Sequence, residues 1–124
     1  MGMARILIVE DSDPVRWTLA NLLQFEGHEV DQAADGRQAL AHFAAHPCDL
    51  VLMDLYMPDM NSLEACRRLR HSSRVPILML SAIGDPAVRE LALDCGANAF
   101  LSKPLEFEGL LAWVRRTSQA EYGN

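Results

Sequence analysis

Lysine is almost missing from this chain of 124 residues: of its 11 basic residues only Lys103 is a lysine, and arginine fills every other position. Basic charge as a whole is also short, because 17 acidic residues leave a formal net charge of −6. That balance argues against direct nucleic-acid binding, since gripping a phosphate backbone needs a positive patch. The one short basic run, Arg67-Arg68-Leu69-Arg70, reads as a solvated helix face. Cysteine is scarce and odd in number: Cys48, Cys66 and Cys95 stand far apart. They form neither a disulfide framework nor a metal-ligand pair, and the expectation is buried or half-buried free thiols in a reducing cytoplasm. His28, His42, His46 and His71 read as surface or loop residues without ligand partners. No apolar run approaches the roughly 20 residues of a membrane span, and the N-terminus lacks a signal-peptide pattern. Nor is Met1-Gly2 a myristoylation signal, because Ile6 stands where Ser or Thr is wanted.

What is present is ordinary for a globular protein: 50% of the residues are hydrophobic and 23% charged. The length fits one domain with a single sizeable core. We place that domain at residues 4–118, with 1–3 as an N-terminal extension or cloning remnant and 119–124 as a C-terminal tail. Short apolar runs predict strands at Ile6 to Val9, Glu29 to Ala33, Leu50 to Met53, Ile77 to Leu80 and Ala99 to Leu101. Near-continuous Val, Ile, Leu and Met in the first, third and fourth predicts strands buried on both faces, as in a parallel sheet.

Amphipathic segments alternate with these runs. Asp13-Pro14 offers an N-cap and a first-turn proline, and Gly27 closes that helix. Val15, Leu19 and Leu22 share one stripe of it, which turns Trp17 to the opposite side as a candidate partner contact. Further helices are predicted at Arg37 to Ala45, Ser62 to Arg70, Pro86 to Cys95 and Glu106 to Ser118. In the fourth, Val88, Leu91 and Cys95 form the inner stripe and leave Leu93 facing out; in the fifth, Phe107, Leu110, Leu111 and Val114 point inward and leave Trp113 at the flank. The alternation defines an α/β fold, a five-stranded parallel sheet flanked by five helices, doubly wound.

In such sheets ligands bind outside the carboxyl ends of the strands. The first predicted strand ends in Glu10-Asp11, the third in Asp54, the fourth in Ser81 and the last runs into Lys103. Three carboxylates in one pocket repel unless cations compensate. The Lys103 ammonium and one divalent ion balance them. All-oxygen ligation without His or Cys selects a hard ion such as Mg²⁺, while Ser81 and Lys103 supply donors for anionic oxygens. Lysine suits a tight pocket because its ammonium is compact, whereas arginine presents a wide fork. The set fits a site that accepts a phosphoryl group on an aspartate, and Asp54, alone at its strand end, is the expected nucleophile. Taken singly, each residue has a plainer role, as a cap, a turn former or a chance lysine. Together at one sheet edge they point to chemistry.

Four segments carry a family resemblance: Ile6-Leu7-Ile8-Val9-Glu10-Asp11, Asp54-Leu55-Tyr56-Met57-Pro58, Leu80-Ser81-Ala82 and Gly96-Ala97-Asn98-Ala99-Phe100-Leu101-Ser102-Lys103-Pro104. With them the chain resembles the receiver domain of bacterial two-component response regulators from Arg5 to about Arg116. The resemblance implies a flavodoxin-like fold with strand order 2-1-3-4-5. It implies that Asp54 takes a phosphoryl group from a cognate histidine kinase or phosphotransfer protein, with Mg²⁺ (or Mn²⁺) held by Glu10, Asp11, Asp54 and the backbone carbonyl of Tyr56. Ser81 and Lys103 would bind the phosphoryl oxygens, and Ser81 and Phe100 would act as switch residues. Lys103-Pro104 is a candidate cis peptide by the same analogy. The output surface would be the fourth helix, fifth strand and fifth helix, offered to an unknown partner or a second copy, with Leu93 and Trp113 as candidate contacts.

The chain also departs from the pattern. Asn61-Ser62 stands where the family often has Asp-Gly, and Ser adopts positive φ less readily than Gly. Glu10 replaces a more frequent Asp. A haloacid-dehalogenase-type phosphatase would need an acid where Tyr56 stands. A flavodoxin would need a Ser/Thr/Gly-rich loop where Glu10-Asp11-Ser12-Asp13-Pro14 stands. The alternative worth keeping is a receiver-like interaction module that works without phosphorylation. The expectation is a phosphoacceptor rather than an enzyme, cytoplasmic, and either a complete single-domain regulator or an excised receiver.

Overall fold

The computed structural model describes residues 4–55, 62–81, 86–102 and 107–122, excluding the side chains of 102, 107 and 118–122. Strands and helices alternate: β1 (Arg5–Val9), α1 (Asp13–Phe25), β2 (Glu29–Ala33), α2 (Gly36–Ala45), β3 (Leu50–Asp54), α3 (Ser62–Ser72), β4 (Ile77–Ser81), α4 (Pro86–Asp94), β5 (Ala99–Ser102) and α5 (Phe107–Tyr122). The five strands are parallel in the order β2-β1-β3-β4-β5, as expected. β3 and β4 each run one residue further than their apolar runs, so that Asp54 and Ser81 belong to the strands. α5 continues to Tyr122, past the expected end at Ser118.

Every residue of β3 and β4 is buried, as are four of the five in β1. Their side chains alternate between two cores. Leu7, Val9, Val51, Met53, Ile77 and Met79 face Ala39 of α2, Ala65, Cys66 and Leu69 of α3, and Ala92 of α4. Ile6, Ile8, Leu50, Leu52, Leu78 and Leu80 face Leu19 and Leu23 of α1, and Leu110 and Val114 of α5. Each such Val, Leu or Ile contributes roughly 1.5–3 kcal/mol of burial, which explains the unbroken apolar runs. β2, at the sheet edge, is more polar and less buried.

Helix ends follow local chemistry. Ser12, rather than Asp13, caps α1, with its side chain accepting from the Val15 amide at 3.4 Å and Pro14 in the first turn. At the other end Gly27 (φ 99°) donates to the Gln24 carbonyl and His28 to Leu23, at 3.0 and 3.1 Å. This is the Schellman arrangement that a glycine at that place permits.

Three further sequence expectations are corrected. Leu91 is 49% exposed, and Ala92 takes the buried place on α4 with Val88 and Cys95. Both stripes obey helical spacing, but the small Ala92 allows closer approach to the sheet. His28 is buried rather than a surface residue, its Nδ1 accepting from the Ala4 amide at 3.0 Å. His42 stands on α2 with its Nε2 3.1 Å from the Asp31 carboxylate, which also accepts from Arg5 Nε at 2.8 Å. Arg70 is no solvated residue: its guanidinium donates to the carbonyls of Ser73, Val75 and Gly96 and to Asn98 Oδ1. The thiols are free, with Cys66 and Cys95 buried and Cys48 half-buried. Burial pushes Cys48 up to about 12 and Cys66 to about 11, which keeps both thiols protonated at neutral pH.

Candidate functional site

β1 and β3 end side by side, with Val9 paired to Met53, so the next residue of each strand emerges at the same edge. Glu10 and Asp54 are 2% and 7% exposed, while Asp11 is exposed. Oxygens of these three carboxylates all lie within 4.8 Å of one another. Two nearly buried carboxylates beside a third are costly without a compensating cation. Among the described residues the donor set of the cluster is carboxylate oxygen alone, which fits a hard divalent ion of the Mg²⁺ or Mn²⁺ type.

Local contacts hold these acids in place. Glu10 Oε2 accepts from the Ser12 amide at 3.2 Å, tying the carboxylate to the start of α1. Arg16 donates through Nη1 to the Glu10 carbonyl at 2.8 Å, through Nη2 to Asp13 at 2.5 Å and through Nε to Gln32 at 3.2 Å. One guanidinium thus joins the end of β1 to α1 and β2. On the other side Asp54 pairs with Leu80, and the Leu55 amide donates to the Leu80 carbonyl at 2.7 Å. Ser81, fully buried, is the next residue of β4 and completes this edge. Ser62, also fully buried at the start of α3, donates its hydroxyl to the Asp54 backbone carbonyl.

The fold therefore brings together Glu10, Asp11 and Asp54, with Ser81 on the strand beside Asp54. Lys103, Tyr56 and the Lys103-Pro104 peptide lie outside the described residues. Phe100, on β5 opposite Met79, is half-buried against the core that includes Val88 and Ala92 of α4. Trp17 projects from α1 with 54% exposure. Leu93 is exposed on α4, whereas Trp113 is half-buried against the other core. These two residues stand on helices packed against opposite faces of the sheet, with the β5 edge between them. Sequence reasoning missed Arg16 and Ser62. Ser62 carried a signal, its departure from the family's glycine; Arg16 carried none beyond its spacing from Asp13.

A five-stranded parallel sheet in the order 2-1-3-4-5 with three carboxylates gathered at its carboxyl edge defines a flavodoxin-like, doubly wound α/β module. Residues 6–115 match the response regulator receiver domain family, and the chain belongs to it. It is a receiver domain of the two-component signalling class. Among curated relatives, the response regulator MprA of Mycolicibacterium vanbaalenii is 43% identical over 112 residues, covering 90% of this chain and 48% of that protein. The response regulator ArlR of Staphylococcus aureus is 37% identical over 113 residues, covering 91% of this chain and 52% of that protein. The chain thus spans about half the length of these relatives. Among solved structures, a response regulator from Chloroflexus aurantiacus aligns with a TM-score of 0.89 at 33% identity, covering 94% of this chain and 98% of that one. The chemotaxis response regulator CheY4 of Vibrio cholerae aligns at 0.86 and 36% identity, covering 93% and 98%.

Proposed function

We propose that this domain is a phosphorylation-dependent switch whose phosphoacceptor is Asp54. The observation that carries the reading is the meeting of Glu10, Asp11 and Asp54 at the carboxyl edge of the sheet, two of the three nearly buried. An Asp54 carboxylate oxygen attacks the phosphorus of a phosphohistidine on a histidine kinase or phosphotransfer protein. A P–O bond forms, the P–N bond breaks, and the electron pair leaves with the imidazole nitrogen, which takes up a proton. Glu10, Asp11 and Asp54, with the Tyr56 carbonyl, would hold Mg²⁺ or Mn²⁺. Such an ion, when bound, supplies positive charge against the phosphoryl oxygens. Ser81 donates a hydrogen bond to one of those oxygens and Lys103 pairs with another. The domain acts as a phosphoacceptor that contributes to its own phosphorylation and dephosphorylation chemistry, in the cytoplasm. Ser81 and Phe100 relay the modification to the α4-β5-α5 surface, where Leu93 and Trp113 contact a partner or a second copy, and Trp17 belongs to the face offered to the kinase. Among the described residues no helix is long and apolar enough to cross a membrane.

The test is labelling with acetyl phosphate, read by intact mass. One phosphate should be added in the presence of Mg²⁺, none after chelation, and none in Asp54→Asn. Equal labelling of Asp54→Asn would move the phosphoacceptor elsewhere.

A further inference from the structure

The peptide unit that follows Asp54 is held from both sides. Its N–H, on Leu55, donates to the Leu80 carbonyl of β4 at 2.7 Å. Because a trans peptide is planar, its C=O points the opposite way, toward the β1 side. There the β1–β3 register has already ended at the Val9–Met53 pair. A buried carbonyl in that place needs a donor, and the Ser62 hydroxyl provides one. A glycine at this position, frequent in the pattern that the chain otherwise resembles, has no side-chain donor to offer.

We propose that Ser62 is a positioning residue for the acidic site. Its bond fixes the plane of the peptide after Asp54, and with Leu55 bound to β4 this pins the Asp54 Cα. The carboxylate is then aimed at Glu10 and Asp11 rather than left to follow the chain into the next turn. Mg²⁺ demands near-ideal geometry, so a small error in one ligand is felt in affinity. Ser62 is also the first residue of α3, so the same bond docks that helix onto the phosphoacceptor strand. The inference rests on Asp54 being a metal ligand and extends the reading above to the residue that orients it.

Ser62→Ala and Ser62→Gly are compared with the parent and with Arg70→Ala, which loosens α3 at the far end of the sheet. Mg²⁺ affinity is measured by titration calorimetry, labelling rate by acetyl phosphate and intact mass, and stability by urea. Both Ser62 variants should lose on the order of tenfold in Mg²⁺ affinity and label correspondingly more slowly, whereas Arg70→Ala lowers the urea midpoint and keeps the parental affinity. Parental affinity in both Ser62 variants would overturn the proposal, as would an equal loss in Arg70→Ala. If Ser62→Ala does not fold, Ser62→Gly decides. A parent that binds Mg²⁺ but takes no phosphate defeats the phosphoacceptor reading alone, and the calorimetric comparison still decides the role of Ser62.

Discussion

Arg70 and Gly96 are built around each other. The guanidinium donates twice to the Gly96 carbonyl, at 3.0 Å from Nε and 2.8 Å from Nη2. A Cβ on Gly96 would stand 2.9 Å from Arg70 Cγ, and its φ of 111° is strained for an L side chain. Arg70 also bonds Ser73, Val75 and Asn98, so one side chain joins the end of α3 to the turns that open β4 and β5.

Arg70→Ala should cost about 2–3 kcal/mol, because several partly buried carbonyls lose a charged donor together. Gly96→Ala should cost at least about 1–2 kcal/mol through positive φ and the contact with Arg70. Urea unfolding of the single and double variants checks both values. The double variant should lose less than the sum, since part of the Gly96→Ala penalty is a clash with the side chain removed. Simple additivity would show that the two residues are not coupled.

Stability should fall as the solution is made mildly acidic, and His28 should carry part of that fall. Burial lowers its pKa, nearby Arg115 lowers it further and Glu26 opposes them. Protonating Nδ1 would also set a hydrogen against the Ala4 amide that it accepts. With the folded pKa below the unfolded value of about 6.5, the unfolded chain takes up the proton first. The contribution is complete above that value and is lost as pH falls from it toward the folded pKa. Urea midpoints of the parent and His28→Gln, measured from neutral to mildly acid pH, should converge on acidification. Parallel curves would exclude His28 as a source.

Trp17→Ala should change stability by less than about 1 kcal/mol, because the ring is more than half exposed. Labelling by acetyl phosphate should be unaffected, while phosphotransfer from the cognate histidine kinase should slow. A loss of several kcal/mol would make Trp17 a core residue; unchanged phosphotransfer would remove it from the kinase-facing surface.

Lys103→Arg should fold nearly normally and fail to respond to beryllofluoride, although its charge is kept, because a guanidinium spreads that charge over a wide planar fork where an ammonium is compact. Changes in tryptophan emission on adding beryllofluoride and Mg²⁺ read the response. A parental response would show that compactness is not what Lys103 contributes.

The architecture was legible in the order of residues because burial on both faces leaves an unbroken apolar run. β1, β3 and β4 could hardly be read otherwise. The placing of Glu10, Asp11, Asp54 and Ser81 was legible for a related reason: Glu10, Asp54 and Ser81 follow such runs directly, Asp11 comes next after Glu10, and parallel strands deliver their carboxyl ends to one edge. Partners brought from afar were not legible. The Ala4 amide that occupies His28 and the Gly96 carbonyl that occupies Arg70 lie 24 and 26 residues away. Nothing in a histidine after a glycine, or in a run of arginines, names them. Helical spacing permits either Leu91 or Ala92 to face the sheet, and only the packing of α4 against its core selects the smaller. Ser62 lies between these cases: the sequence marked it as a departure, but its hydroxyl acquires a role only where the fold brings the start of α3 to the Asp54 carbonyl.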